Sequence, residues 1–173
     1  MNILVTGANG LLASHIIKQL VRNGGLDVFG IDLGPRDPIP GAIYVYGSIE
    51  NSQIYSRLPG KMDVCIHTAA VMLGDDLDDQ AECVRTNILG TLELVRFFRN
   101  SNPDGYFLFI STIYTYGPSV KGDLTENAPT SPDSFYGLSK CFGEAVKRIR
   151  RCWRWHRQLD TQVSGSWLPG DCD

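Results

Sequence analysis

The sequence predicts an α/β fold built on a doubly wound parallel sheet, and three observations predict it. Strand and helix signals alternate from the first residues, which requires crossovers that cover both faces of a sheet. The run Tyr106-Phe107-Leu108-Phe109-Ile110 is apolar without alternation, as in a strand buried on both sides. A first strand also runs directly into Thr6-Gly7-Ala8-Asn9-Gly10 ahead of a helix. Such a glycine turn lets the chain reverse sharply where a side chain would obstruct it.

Ile3-Leu4-Val5 forms the core of the first strand. A helix follows over about 11–22, with Leu12, Ile16 and Leu20 as its expected buried face, and Asn23-Gly24-Gly25 stops it. Residues 27–32 (DVFGID), 43–46 and 63–67 (DVCIH) give the next three strands. A long helix is expected over 77–99 with Val84, Ile88, Val95 and Phe98 as its apolar stripe. The strand 106–110 delivers Ser111 and Thr112 at its end, and a Pro- and Gly-rich loop leads to a helix starting near Ser134.

With 173 residues the chain can bury one sizeable core but not comfortably two. A hydrophobic content of 43% and a charged content of 20% are those of a soluble globular protein. The net charge of -3 argues against a general nucleic-acid binder. No apolar run approaches the roughly 18 residues needed to span a bilayer. The start MNILVTGANG lacks a basic n-region and cleavage site, so the cytoplasm is the expected compartment. Cys65, Cys83, Cys141, Cys152 and Cys172 are scattered without a C-x-x-C pair, which signals reduced thiols rather than a zinc or redox site. Cys65 reads as a small core residue. The acidic run Asp75, Asp76, Asp78 and Asp79 reads as a solvated helix start rather than a metal site, and no metal is expected.

Two local patterns carry chemistry. Gly7 and Gly10 stand where the turn needs positive φ or close backbone approach, with Ala13 as the third small position. The helix behind them offers unpaired N–H groups and a positive dipole end to a pyrophosphate. Asp32 closes the next strand, where a carboxylate accepts from adenosine ribose hydroxyls and repels a 2′-phosphate, favouring NAD over NADP. Arg36 is the one nearby residue that softens this preference. The second pattern is Tyr136 and Lys140 in FYGLSK. Four apart on a helix, they share a face, and a nearby ammonium lowers a phenol's pKa towards working pH. That suits a general acid/base acting on a hydroxyl carbon.

Taken together, TGANGLLASH, the strand ending at Asp32, HTAA (67–70), TNILGT (86–91), STIYTYG (111–117) and ENAPTSPDSFYGLSK (126–140) resemble the extended short-chain dehydrogenase/reductase family, the NAD-dependent nucleotide-sugar epimerases and dehydratases. The resemblance covers about the first 145 residues. It implies a Rossmann-like fold with NAD at the carboxyl ends of the strands and a sugar or nucleotide sugar as substrate. It also implies a catalytic set of Thr112, Tyr136 and Lys140. Tyr136 would be the acid/base, Lys140 would hold the nicotinamide ribose, and Thr112 would bond the sugar oxygen. Ser111 would support the turn, Asn87 would fix neighbouring backbone, and Ala69 and Ala70 would line the adenosine side. The implied cofactor contacts further include Gly7, Asn9, Gly10, Leu11, Leu12, Asp32, Leu33, Ser48, Ile49 and Thr68. Ser48 stands where the family commonly has an aspartate for the adenine amino group, which is expected to weaken adenine binding modestly. His67 reads as a satisfied structural histidine. STIY, without an Asp-Glu pair after Thr112, resembles epimerases or dehydrogenases more than dehydratases. YGLSKCFGE also looks like sugar-acid dehydrogenases of this family, so a uronate-type dehydrogenase stays open. A homodimer through the helices 77–99 and 134–150 is implied as well.

The sequence therefore divides into an NAD-binding domain, 1–145, and an atypical tail, 146–173. Lys147, Arg148, Arg150, Arg151, Arg154 and Arg157 cluster in that tail with all three tryptophans, and no strand pattern returns. The fold is accordingly expected to be incomplete on its C-terminal side, with the tail a shifted reading frame or truncation product. A partner-binding amphipathic helix is the alternative reading. Three functions stay open: a sugar-nucleotide enzyme, a nucleotide-binding module without turnover, and a nonfunctional fragment.

Overall fold

The alternation of strands and helices folds as it requires, with all strands parallel. The structure, a computed structural model, describes residues 1–72, 77–118, 124–125 and 127–148. Strands β1 (Asn2–Thr6), β2 (Asp27–Asp32), β3 (Ala42–Tyr46), β4 (Val64–His67) and β5 (Tyr106–Phe109) form one sheet in the order β3-β2-β1-β4-β5. Thr6 pairs with Ile31 and His67, and His67 with Phe109. The carboxyl ends of the strands therefore lie level, and the loops that leave them gather along one edge. The direction of winding reverses between β1 and β4, the switch point where open α/β sheets bind ligands.

Side-chain alternation sorts the core into two layers. Leu4, Phe29, Ile31, Cys65, Phe107 and Phe109 share one face of the sheet, and Ile3, Val5, Val28 and Ile66 the other. Helix α1 (Leu11–Asn23) covers the second face with Ala13 and Ile17. The first face is covered by α3 (Thr91–Ser101) through Leu94 and Phe98, and by a 3-10 turn, Ser52–Arg57, through Ile54 and Tyr55. Phe98 meets Phe107 edge-on with ring centroids 5.6 Å apart. Full burial of one such ring stabilises the fold by about 1.5–3 kcal/mol.

Two helix faces differ from the sequence expectation. In α1 the fully buried positions are Ala13 and Ile17, while Leu12 is 49% exposed and Ile16 and Leu20 pack only in part. A small residue sits against the sheet because the helix starts close to it, and this turns the larger Leu12 outward. The expected helix 77–99 is a continuous helical path of three parts: α2 (Leu77–Cys83), a π-helical segment (Val84–Gly90) and α3. Its buried line runs through Cys83, Asn87, Thr91, Leu94 and Phe98, not through Val84, Ile88 and Val95. Two of those buried positions are polar, so an apolar count cannot find the line. The 3-10 turns at Ser52–Arg57 and Ile113–Thr115 were not expected from the sequence.

Helix α4 (Phe135–Arg148) packs on α2, the π-helical segment and the Ile113–Thr115 turn. Among the described residues, no helix is long and apolar enough to cross a membrane. Cys65 is fully buried, as a small core residue should be. Asp75, Asp76, Glu126 and residues 149–173, which hold most of the expected tail, lie outside the described residues. Asp78 and Asp79 lie in the first turn of α2.

Candidate active site

The glycine turn between β1 and α1 is held in place by the neighbouring strands. Gly7 has φ +68, and a Cβ there would stand 2.8 Å from the Ala69 Cα, so glycine answers both the backbone angle and the lack of space. Asn9 N–H donates to Asp32 Oδ2 at 2.8 Å, and Asn9 Nδ2 donates to the Gly34 carbonyl at 2.7 Å. The second Asp32 oxygen accepts from the Leu33 N–H at 2.7 Å. Asn9 is thus a strut between the turn and the end of β2. Helix α1 begins at Gly10 without a side-chain cap, which leaves its first N–H groups to face a ligand.

A cleft of about 670 Å³ opens over this turn. Gly7, Gly10, Leu11, Leu12, Asp32, Leu33, Ser48, Ile49, Thr68, Ala69, Ala70, Tyr136 and Lys140 all line it, so most of the expected cofactor contacts share one space. Asn9, Asn87 and Ser111, expected as cofactor contacts, and Thr112, expected as catalytic, are not among the residues that line it. The exposure of Leu12, unexpected for a helix face, is what brings it to the cleft.

At the far end of the cleft, Tyr136 and Lys140 come from α4 and Thr112 from the end of β5. Thr112 Oγ1 accepts from the Tyr114 N–H at 3.3 Å, and the Tyr114 ring lies edge-on to Tyr136 at 6.1 Å. Lys140 Nζ donates to the Ile110 carbonyl at 3.0 Å and lies 5.7 Å from the Tyr136 ring centre. Burial lowers the lysine pKa to about 8. Burial raises the Tyr136 pKa from its ordinary value, and the nearby Thr112 side chain opposes that rise. The lowering by Lys140 expected from helix spacing is therefore not the governing effect here; desolvation is.

Behind the cleft runs a chain of buried hydrogen bonds. Asn87 Oδ1 accepts from the Val71 N–H and its Nδ2 donates to the Val71 carbonyl, both at 2.9 Å. Its Nδ2 also reaches Ser139 Oγ at 3.0 Å, and Ser139 donates to the Tyr136 carbonyl at 2.7 Å. Asn87 thus clamps the loop after β4 and ties it to α4. His67 is fully buried between Thr6 Oγ1 at 2.7 Å and Thr91 Oγ1 at 2.9 Å. Ser111 donates to Glu144 Oε1 on α4, anchoring that helix at the end of β5. Glu144, Ser139 and Thr91 escaped the sequence reading, since a polar residue buried by a distant partner leaves no periodic mark. The one available signal was their position within the stretches TNILGT and FYGLSKCFGE.

The family model for the NAD dependent epimerase/dehydratase family matches residues 3–161. The chain belongs to that family. It is 30% identical over 153 residues to the UDP-glucose 4-epimerase of Lactobacillus helveticus, covering 84% of this chain and 46% of that protein. A short-chain dehydrogenase/reductase superfamily protein of Agrobacterium tumefaciens, solved with bound NAD, superposes with a TM-score of 0.75 at 30% identity. That match covers 86% of this chain and 44% of the other. The uronate dehydrogenase of the same organism gives a TM-score of 0.72 at 25% identity, over 86% of this chain and 55% of the other. The chain thus spans about half the length of the relatives it matches.

Proposed function

We propose that the chain binds NAD and carries the acid/base half of a sugar or nucleotide-sugar oxidoreductase, with an epimerase as the leading reading. The observation that carries this is the meeting of Tyr136 and the buried Lys140 in one cleft with the glycine turn and Asp32. The residues fit the cofactor: an uncapped helix start for a pyrophosphate, a carboxylate for a ribose, and no room for a Cβ at Gly7. NAD, when bound, supplies a hydride acceptor. Tyr136 takes the proton from a sugar hydroxyl, Thr112 steadies the same oxygen, and Lys140 holds the ribose and stabilises the phenolate as it forms. Residues 1–145 are the proposed cofactor-binding unit. The scattered cysteines, without a C-x-x-C pair, are in keeping with the cytoplasm.

The test is Tyr136→Phe, followed by turnover of UDP-sugars and uronates and by NAD titration calorimetry. Turnover should fall by roughly 100-fold or more with NAD affinity within about threefold; unchanged turnover would remove Tyr136 from the mechanism. A second reading has an observation behind it: the similarity to a uronate dehydrogenase supports a simple dehydrogenase. Exposed Leu89, Leu92 and Leu138, on the π-helical segment, α3 and α4, support a homodimer through these helices, which light scattering would test.

A further inference from the structure

The cleft's base-binding end has its own chemistry, at the loop that follows β3. Gly47 N–H donates to the Asp32 carbonyl at 2.8 Å, so this loop lies directly beyond the carboxylate assigned to the ribose. Ser48 and Glu50, both in this loop, line the same cleft as Asp32. Ser48 Oγ donates to Glu50 Oε1 at 3.1 Å, and the Glu50 N–H donates back to Ser48 Oγ at 3.2 Å. The backbone between them is fixed from below: Ile49 is buried, and the Tyr55 hydroxyl donates to its carbonyl at 2.6 Å. The half-buried Glu50 carboxylate is therefore held in place at the cleft wall before any ligand arrives.

We infer that Glu50 is the group that reads the amino substituent of the dinucleotide's purine, doing from two residues further on what an aspartate at position 48 would do. This rests on the NAD reading above. An ionised carboxylate only accepts hydrogen bonds and has about four acceptor sites, of which Ser48 uses one. It pairs with the exocyclic amino group of adenine. Opposite a purine with a ring oxygen in place of that amine, it would set acceptor against acceptor. Discrimination then comes from an unpaired group in the wrong complex as much as from the bond in the right one. Ser48 keeps a role as the positioning residue that aims the carboxylate. On this account the serine does not leave the base end without a carboxylate acceptor.

Calorimetric titration of the full chain with NAD, and with the analogue whose adenine is replaced by hypoxanthine, tests the inference. The wild type should favour NAD by roughly tenfold or more, as a charge-assisted hydrogen bond allows. In Glu50→Gln the amide can turn either its oxygen or its nitrogen to the base, so the ratio should narrow to within about threefold. Ser48→Ala, which only frees the carboxylate, should give an intermediate ratio and carries the test if Glu50→Gln does not fold. Equal affinities in the wild type, or an undiminished ratio in both variants, would overturn the inference and leave the NAD reading standing. Binding of neither dinucleotide by a chain with a cooperative thermal transition would remove that reading and the inference together.

Discussion

His67 donates its Nε2–H to Thr91, and the neighbouring hydrogen bonds fix that direction. The Thr91 hydroxyl has a single proton, which goes to the Asn87 carbonyl at 2.6 Å, so at the 2.9 Å contact it accepts from Nε2. Nδ1 is then an acceptor for the Thr6 hydroxyl, whose oxygen accepts from the Ala69 N–H at 3.3 Å. One tautomer thus links the glycine turn, through the switch point of the sheet, to the helical segment carrying Asn87. Removing the middle hydroxyl with Thr91→Val keeps the shape but leaves the buried His67 N–H without an acceptor. We expect a loss of about 1–3 kcal/mol in urea unfolding. A change below about 0.5 kcal/mol would show that the chain of bonds is not maintained in solution.

The same histidine predicts an acid limb of stability. Burial, and secondarily the Lys140 ammonium, push its pKa from 6.5 down to about 3. The unfolded chain therefore binds a proton between those values that the folded chain refuses. His67's contribution is complete above pH 6.5 and is lost as pH falls towards 3. Between pH 7 and 5 the loss is roughly 2 kcal/mol from this group alone. Carboxylates titrate in the same range, so the measurement is the difference between wild type and His67→Gln, which should shrink by that amount. A constant difference would mean that the imidazole is hydrated or charged in the fold.

Lys140 should trade stability for function. Its pKa lies near 8 instead of 10.5 because burial disfavours the ammonium. The unfolded state binds the proton more strongly between pH 8 and 10.5, so stability from this group is present above pH 10.5 and lost as pH falls through 8. At pH 7 the folded chain carries the whole penalty. Lys140→Met removes it, with a partial offset from the unpaired Ile110 carbonyl. We expect a gain of about 1–2 kcal/mol in thermal unfolding at pH 7, with turnover abolished. A destabilised variant would mean that the lysine hydrogen bond outweighs its desolvation.

Strand positions were legible in the sequence to within a residue or two, because continuous apolar runs such as 106–110 and the glycine turn at Gly7 are local signals. The clustering of Tyr136 and Lys140 with the nucleotide turn was legible through helix spacing and the order of motifs. What was not legible depended on distance in space. Ala13 replaces Leu12 at the sheet because of how closely α1 approaches it, and Thr91 and Asn87 are buried because His67 and Val71 supply partners 24 and 16 residues away. The sign of the Tyr136 shift was also hidden, since burial is a property of the packed cleft.

Asp32 should set cofactor preference despite its structural duties. Its two oxygens already accept from the Asn9 and Leu33 N–H groups, yet a carboxylate retains further acceptor sites for ribose hydroxyls. Asp32→Ala removes both roles, and we expect NAD affinity to fall by roughly 10- to 100-fold. Removing the charge that repels a 2′-phosphate should at the same time narrow the preference over NADP. Calorimetry with both dinucleotides decides it, and an unaltered NAD-to-NADP ratio would count against a ribose contact.

Gly137 is the sharpest test of how α4 is seated. A Cβ at this position would stand 2.4 Å from the Tyr114 carbonyl oxygen and 3.0 Å from Pro132 Cβ. The nearer atom is backbone, so relief requires the helix or the Ile113–Thr115 turn to move. Gly137 directly follows Tyr136, and the turn follows Thr112, so either movement shifts the phenol relative to the Thr112 side chain. In an exposed helix the change to alanine would stabilise by up to about 1 kcal/mol. Here we expect the opposite sign, a loss of roughly 1–3 kcal/mol, with turnover reduced more than NAD affinity because the glycine turn lies elsewhere in the cleft. A stabilised Gly137→Ala variant with full turnover would show that α4 does not lie this close to the Tyr114 backbone.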